Sequence, residues 1–272
     1  MKKLYCLLLM AALLLPLVGQ AQNVDYSCDF EDMSDSAGWV LLNGTQTNQW
    51  YIGTDSSNVG SRALFVSSVD SSSNVYDNSI TSITYAYREF ELTPGGYYMS
   101  YNWHAYGEGS YDYLRVFLVP SSVAITAGLL PDGTTSTYNF STAPAGWIPL
   151  DGNSRLNGES TWQYYECEFS VSTADTYRLV FMWCNDPSAG TNPPAAVDNI
   201  VLTQPTCARP AMPYVMNLTT TSFDLYWSDM TDGNAAEWIV EIDSATQAHG
   251  MGTVYSSNDT SITFTGLTPN TT

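Results

Sequence analysis

The sequence predicts an all-β chain, in which a jelly-roll β-sandwich is followed by a second, shorter β unit. Short runs of alternating apolar and polar residues recur roughly every ten residues, which is typical of antiparallel strands. No segment after residue 21 has an apolar period of 3.6 residues, so helices are not expected to build the core. Regular short strands of this kind favour a sandwich or a jelly roll.

The clearest predicted strands belong to the first unit. They cover residues 96–106, 112–119, 162–171, 177–184 and 195–203. The run YRLVFMWC (177–184) is apolar on both faces, which predicts a strand that is central or covered by loops. The short polar segment STADT (172–176) predicts that the strands on either side of it form a hairpin.

The boundary between the two units is predicted at TQPTCARPAMP (203–213), where three prolines interrupt the strand pattern. The first unit then spans residues 22–204 and the second spans residues 205–272. The second unit has strands that carry Trp227 and Trp238, and it closes with Leu267-Thr-Pro269. About 65 residues are too few for a complete sandwich of this type, so we expect the second unit to be truncated.

The N-terminus has the pattern of a secretory signal peptide, over residues 1–21. Lys2 and Lys3 precede an apolar run, and small residues lead to Ala21. The alternative, a membrane helix, is disfavoured because the run is too short and nothing downstream reaches 18 apolar residues. We therefore expect an exported protein without membrane insertion.

Removal of the signal peptide makes the chain strongly acidic. Both lysines leave with it, and six arginines remain against 27 carboxylates, a formal net charge of −21. A surface of this charge repels nucleic acid and anionic membranes and attracts cations. The same charge also serves solubility alone.

Four cysteines remain after processing, which in an oxidising compartment predicts two disulfides. Cys28 opens the first unit and Cys207 closes it, so this pair is expected to tie its ends together. Cys167 and Cys184 lie on the two predicted hairpin strands, but out of register, and free thiols are the alternative for them.

Five segments occur in an order that resembles a known family. They are CDFED…GW (28–39), NQWYIG (48–53), GSRALFVS (60–67), MSYNWHAYGEGSYDYLRVFLVP (99–120) and PPAAVDNIVL (193–202). The set resembles the MAM-like jelly roll of bacterial surface proteins, including cleaved adhesin and choice-of-anchor modules. The second unit resembles a fibronectin type III module, in which an early-strand tryptophan anchors the core. The first resemblance implies non-catalytic adhesion and, in many relatives, a structural calcium.

A calcium site is predicted at Asp29, Glu31 and Asp198. In a jelly roll the first and last strands often lie side by side, which would bring these carboxylates to one edge, and calcium prefers oxygen ligands. The segment is not an EF-hand, because the glycine and glutamate of that loop are absent. The alternative is that the aspartates accept hydrogen bonds in turns and at strand ends.

The segment HAYGEGSYDY (104–113) is the candidate ligand-binding region, with Tyr106, Glu108, Tyr111 and Asp112 as its residues. Tyrosines beside glycines and carboxylates suit a sugar-binding rim, although such aromatics also build sandwich cores. Catalysis is not expected. His104 lies in an apolar strand without an orienting partner in sequence, and a carboxylate pair has no positive support.

The sequence therefore predicts a binding protein that recognises host protein or glycan, secreted or on the outer surface of a gram-negative cell. The alternative is an accessory binding region of a larger secreted protease or glycosidase.

Overall fold

The computed structural model of the 272-residue chain describes residues 24–205, 210–229, 235–242 and 253–267. The predicted signal peptide lies outside these ranges. The fold is all-β, as predicted, and the first unit is a sandwich of two antiparallel sheets. A four-residue helix, Met33–Ser36, begins after Asp32, whose carboxylate accepts a hydrogen bond from Ser34 N. Among the described residues, no helix is long and apolar enough to cross a membrane.

The first sheet has six strands. They are β1 (Asp25–Cys28), β3 (Gln49–Gly53), β4 (Ala63–Ser67), β6 (Gly95–Ala105), β9 (Glu159–Val171) and β11 (Ala196–Thr203). The order across the sheet is β3-β4-β11-β6-β9. β1 and β4 share one edge of β11, with β4 at its beginning and β1 at its end. A register shift between Asp198 and Val201 separates the two pairings.

The second sheet has five strands. They are β2 (Val40–Leu42), β5 (Ser82–Leu92), β7 (Tyr113–Pro120), β8 (Ile148–Pro149) and β10 (Asp175–Asn185). Their order is β2-β5-β10-β7-β8. β10 is central, as its apolar sequence predicted, because a strand buried on both faces has no polar side to present to water.

The main core lies between the two sheets and is rich in aromatic residues. Alternation along β6 places Tyr97, Met99, Tyr101 and Trp103 on the inner face. Tyr101 packs edge-on against Phe181 of β10, with ring centroids 5.7 Å apart. Packing of this kind joins the sheets through large apolar contacts that are non-local in sequence.

A second apolar cluster covers the outer face of the five-stranded sheet. The segment 121–147, between β7 and β8, places Leu130, Phe140 and Trp147 against that face. The sheet side of this cluster consists of Ile83, Tyr85, Tyr113, Phe117, Val119, Val180, Met182 and Cys184. This segment explains why β10 is apolar on both faces.

The predicted hairpin across residues 172–176 is wrong. β9 pairs with β6 in one sheet, while β10 pairs with β5 and β7 in the other. The short connection therefore crosses from one sheet to the other, because both strands use their apolar faces to enclose the same core. Alternation reveals which face of a strand is buried but does not reveal its partner.

This topology also corrects the predicted Cys167–Cys184 disulfide, since the two cysteines lie in different sheets and both are free thiols. Burial raises the pKa of Cys167 to about 12 and that of Cys184 still further. Cys28 is buried in the main core. Its predicted partner, Cys207, lies outside the described residues, so that disulfide stays a prediction.

The C-terminal unit has a three-stranded and a two-stranded sheet. Its strands are β12 (Ala211–Met216), β13 (Ser222–Ser228), β14 (Trp238–Ile242), β15 (Thr253–Ser257) and β16 (Ser261–Thr265). Trp227 and Trp238 are buried, with ring centroids 6.0 Å apart. The fibronectin type III resemblance stays a prediction.

Candidate functional site: the open face of the six-stranded sheet

The outer face of the six-stranded sheet over β6 and β9 presents polar and aromatic side chains. We call it the open face. It comprises Tyr98, Ser100, Asn102, His104, Trp162, Tyr164, Glu166 and Glu168. These residues alternate along each strand with residues that point into the main core. The register places Asn102 beside Tyr164 and Ser100 beside Glu166, so the two strands form one continuous surface.

Exposure on the open face is greatest along β9. Tyr164 is 59% exposed and Glu166 and Glu168 are also exposed, whereas Trp162 and Tyr98 are half-buried. An aromatic ring held on a rigid strand with most of its surface in water is available for stacking. The sheet therefore provides both rigidity and accessible apolar area at one place.

Three oxygen atoms converge at the centre of this face. The hydroxyl oxygens of Tyr98 and Tyr164 are 2.8 Å apart, and they lie 2.8 and 3.0 Å from Oε2 of Glu166. Two hydroxyl protons are thus shared among three short contacts. Burial, followed by these hydrogen bonds, raises the pKa of Tyr98 above the ordinary tyrosine value. The cluster holds Tyr164 in a defined orientation.

One end of the open face is formed by His104 and Trp162. Their ring centroids are 4.6 Å apart in an edge-on contact, and His104 Nε2 lies 2.8 Å from Ser56 Oγ. Burial lowers the pKa of His104 to about 4, so the ring is neutral at pH 7. Its Nδ1 has no hydrogen-bond partner among the described residues. The contact with Ser56 Oγ positions the ring.

The carboxylates of the predicted calcium residues accept hydrogen bonds from other groups of the protein. Asp198 is fully buried, and its two carboxylate oxygens accept from the backbone N–H groups of Asn58, Val59 and Asn199. Burial raises the pKa of Asp198, although these three hydrogen bonds oppose the shift.

Glu31 accepts from Ser61 N and Oγ and from Arg62 N at 2.6–2.9 Å, and these bonds lower its pKa. Asp29 accepts from Glu31 N, a short turn contact. Calcium at these residues stays a prediction.

The predicted ligand-binding region lies elsewhere, at a rim of the sandwich. Glu108 and Asp112 face each other across a tight turn. Tyr106 is 41% exposed, and Tyr111 packs on Tyr138 with ring centroids 5.1 Å apart. Sequence reasoning therefore identified residues that are close in space but separate from the open face.

A third carboxylate joins this rim. Among the described residues, Glu108, Asp112 and Asp186 are the three acidic groups whose oxygens approach within 4.8 Å of one another. Asp112 is fully buried and accepts from Tyr76 Oη at 2.6 Å and Asp186 N at 3.0 Å. Burial raises the pKa of Asp112 to about 6, and repulsion from Asp186 and Glu108 adds to the shift. Oxygen donors of this kind are those that Ca²⁺ uses.

Sequence reasoning missed the open face itself. Trp162, Tyr164, Glu166 and Glu168 alternate in WQYYECEF, where one face of the strand holds two aromatic residues, two carboxylates and no aliphatic residue. That composition is the available signal, although two carboxylates on one strand face are also typical of a solvated face. No sequence pattern could predict that Tyr98 contributes to the open face, because β6 and β9 pair across more than 60 residues of sequence.

No family model matches this chain, and no curated protein matches it. Among solved structures, the chain is similar to the CBM22-1 xylan-binding domain from Paenibacillus barcinonensis Xyn10C. The identity is 9% and the TM-score is 0.40, over 68% of this chain and 96% of that one. It is also similar to the C-terminal family 22 carbohydrate-binding module of Clostridium thermocellum Xyn10B, with 13% identity and a TM-score of 0.41 over 68% and 96% of the two chains.

A third similar structure is the mannan-recognising module TmCBM27, with 15% identity and a TM-score of 0.32 over 68% and 100% of the two chains. These identities and TM-scores carry no argument about function, which has to come from the site.

Proposed function

We propose that the open face binds an uncharged glycan without catalysis. The observation that supports this most directly is Tyr164, which is 59% exposed yet held by short contacts to Tyr98 and Glu166. The C–H faces of sugar rings pack on aromatic rings, and their hydroxyls exchange hydrogen bonds with carboxylates and amides. A preorganised aromatic residue binds at a lower entropic cost than a mobile one.

The charge of the face favours a neutral ligand. Glu166 and Glu168 lie on it, and the whole chain is strongly acidic. Uronate or sulfated glycans would be repelled by these carboxylates. An uncharged polysaccharide avoids that repulsion and still offers hydroxyls to Glu166 and Asn102.

The setting of this binding is part of the proposal. A glycan-binding face suits an adhesin that is exported by its signal peptide to the outer surface of a gram-negative cell. It suits equally an accessory region of a larger secreted hydrolase. Host glycans, or glycans displayed on host proteins, are the partners in the first setting, and a polysaccharide substrate is the partner in the second.

The experiment measures binding of the full chain to neutral polysaccharides. Xylan, galactan and mannan are the probes, and polygalacturonate is the charged comparison. We expect the parent chain to bind at least one neutral probe. Tyr164→Ala should weaken that binding about five- to thirtyfold, since stacking and hydroxyl contacts of about 1–2 kcal/mol are lost, without lowering Tm. Tyr164→Phe should retain part of the affinity, because it removes the hydroxyl alone.

Tyr138→Ala is the matched control, since Tyr138 is 60% exposed but lies beside Tyr111 at the rim. Its affinity should equal that of the parent. Loss of binding in Tyr138→Ala with retention in Tyr164→Ala would move the site to the rim. A parent chain that binds none of the neutral probes would refute the proposed function.

A further inference from the structure

The loop 54–62 between β3 and β4 crosses the outer face of the six-stranded sheet. It contacts His104 of β6 through Ser56 and Asp198 of β11 through Asn58 and Val59. Its end contacts Glu31, which follows β1. The loop is therefore held at three points by residues that are remote from it in sequence.

Two of these contacts are carboxylates that accept several hydrogen bonds each from the loop. Asp198 Oδ2 accepts from Asn58 N at 2.8 Å and from Val59 N at 3.2 Å. Glu31 Oε1 accepts from Ser61 N at 2.7 Å and Arg62 N at 2.6 Å. Backbone N–H groups that converge in this way form an anion site, and here the anion is a side chain of the protein itself.

The glycine in the loop fits this arrangement. Gly60 has φ +75°, and a Cβ at this position would lie 2.6 Å from Oε1 and Cδ of Glu31. Any other residue would be strained by the backbone conformation, and its Cβ would require the Glu31 carboxylate to move. The close approach of the loop to Glu31 therefore depends on this glycine.

The backbone N–H groups of the loop leave an unsuitable environment for a calcium ion at Glu31 and Asp198. Calcium needs six to eight oxygen ligands around it, whereas Glu31 and Asp198 are faced by the positive ends of N–H dipoles. The three predicted ligands also do not form a group with oxygens within 4.8 Å of one another, unlike the rim carboxylates. The hydrogen bonds stabilise the Glu31 carboxylate, whose pKa they lower, and at Asp198 they offset part of the cost of burial.

We propose that Glu31 and Asp198 are positioning residues that fix the loop 54–62 over the sheet without calcium. Resting on the proposed function, this assigns them a part in glycan binding, because the loop places Ser56 against His104. His104 in turn packs on Trp162 at the end of the open face. Release of the loop would leave that end less well ordered.

The test compares Asp198→Asn, Glu31→Gln and Asp29→Asn in the full chain after treatment with a chelator. Without calcium, Asp198→Asn should lower Tm by about 3–8 °C and Glu31→Gln by less, because hydrogen bonds to a charged acceptor are lost. Asp29→Asn should stay within about 1 °C of the parent, since it retains its turn acceptor. Millimolar Ca²⁺ should not increase these differences.

A local measurement separates loop release from global destabilisation. Trypsin cleavage after Arg62, at the end of the loop, should become roughly tenfold faster in Asp198→Asn than in the parent. Affinity for the neutral probe should fall roughly threefold or more at a temperature well below Tm. Trp147→Ala, in the cluster on the opposite sheet, is the control that lowers Tm without changing the affinity.

The response of Tm to Ca²⁺ distinguishes the anchor role from a calcium site. A rise in Tm with Ca²⁺ that disappears in all three variants would overturn the proposal and restore the calcium site. A rise that persists in all three supports the anchor role, because the ion then binds elsewhere. If no neutral glycan binds but the Tm and trypsin results hold, the anchors stand and the proposed function alone fails.

Discussion

The two outer faces of the sandwich differ although both belong to antiparallel sheets in one domain. On the five-stranded sheet, the segment 121–147 packs Phe140 and Trp147 over Phe117 and excludes water. On the six-stranded sheet, Tyr164 and Glu166 remain exposed over β9. The comparison shows that one face contributes stability while the other remains available to a ligand.

The covered face also contains a buried ion pair. Arg115 and Asp151 are both fully buried, with Arg115 Nε 2.5 Å from Asp151 Oδ2. Phe140 O accepts a further hydrogen bond from Arg115, and Val116 N donates to Asp151. Because Asp151 follows the covering segment and Arg115 belongs to β7, the pair fastens the segment to the sheet.

The largest expected effect comes from breaking this pair. Asp151→Ala leaves the guanidinium of Arg115 buried without its counter-charge and should lower the free energy of unfolding by about 3–5 kcal/mol. Urea denaturation of the variant and the parent measures the loss. Arg115→Met combined with Asp151→Leu should recover part of it. A loss below about 1 kcal/mol in the single variant would contradict the role assigned to the pair.

Two tryptophans compare the faces directly. Trp147 is 6% exposed and packs edge-on against Phe117, so Trp147→Ala should lower the free energy of unfolding by about 3 kcal/mol. Trp162 is half-buried on the open face, and Trp162→Ala should lower it by about 1 kcal/mol or less. Glycan affinity should fall more in Trp162→Ala than in Trp147→Ala. Equal losses of unfolding free energy in Trp147→Ala and Trp162→Ala would contradict the conclusion that the covered face contributes more to stability than the open face.

The rim carboxylates belong to neither face, and Asp112 gives them a pH signature. Its folded-state pKa of about 6 lies above the ordinary value near 4. Above pH 6 the buried charge costs free energy. As the pH falls from 6 to 4, the folded state takes up a proton first and this cost disappears. Asp112→Asn should therefore be more stable than the parent at pH 7, on the order of 1 kcal/mol, and equal to it near pH 4.

The measurement is the difference in unfolding free energy between Asp112→Asn and the parent across this pH range, with chelator present. The comparison is needed because His104 acts in the opposite sense. Its pKa is lowered to about 4, so both proteins lose stability as the pH falls from 6.5 towards 4. If the difference in unfolding free energy between Asp112→Asn and the parent did not change with pH, Asp112 would not have the raised pKa that the prediction requires.

The smallest effect is expected at an exposed ion pair in the same sheet as Arg115. Arg178 Nε lies 2.9 Å from Glu89 Oε1, and the Glu89 side chain is 47% exposed. Glu89→Gln should lower the free energy of unfolding by less than about 0.5 kcal/mol, and high salt should remove the difference. If Glu89→Gln lost as much unfolding free energy as Asp151→Ala, burial would not explain the different contributions of the two ion pairs to stability.

Parts of the fold could be predicted because they depend on short-range alternation. The central position of β10 followed from its two apolar faces. The partner of β9 could not be predicted, since alternation does not specify which sheet a strand joins. The error in the Cys167–Cys184 disulfide was a direct consequence.

The stretch CDFEDMSDSAGW was predicted to pair Glu31 with Asp198, and the structure connects them differently. Both carboxylates bind the loop 54–62 through backbone N–H groups. Backbone donors have no sequence signature, so the residue types alone could not reveal these hydrogen bonds. The rim cluster shows the same limit, because Asp186 joins Glu108 and Asp112 from more than 70 residues away.

By itself, the sequence determined the all-β class, the alternation that builds the core and the acidic charge. All of these depend on residue type and local spacing. Only the tertiary structure decided that segment 121–147 covers one sheet and that Tyr98 meets Tyr164 and Glu166 on the other. Those arrangements depend on strand pairing and loop docking between distant residues, where many pairings satisfy the same local pattern and packing of the whole core selects one.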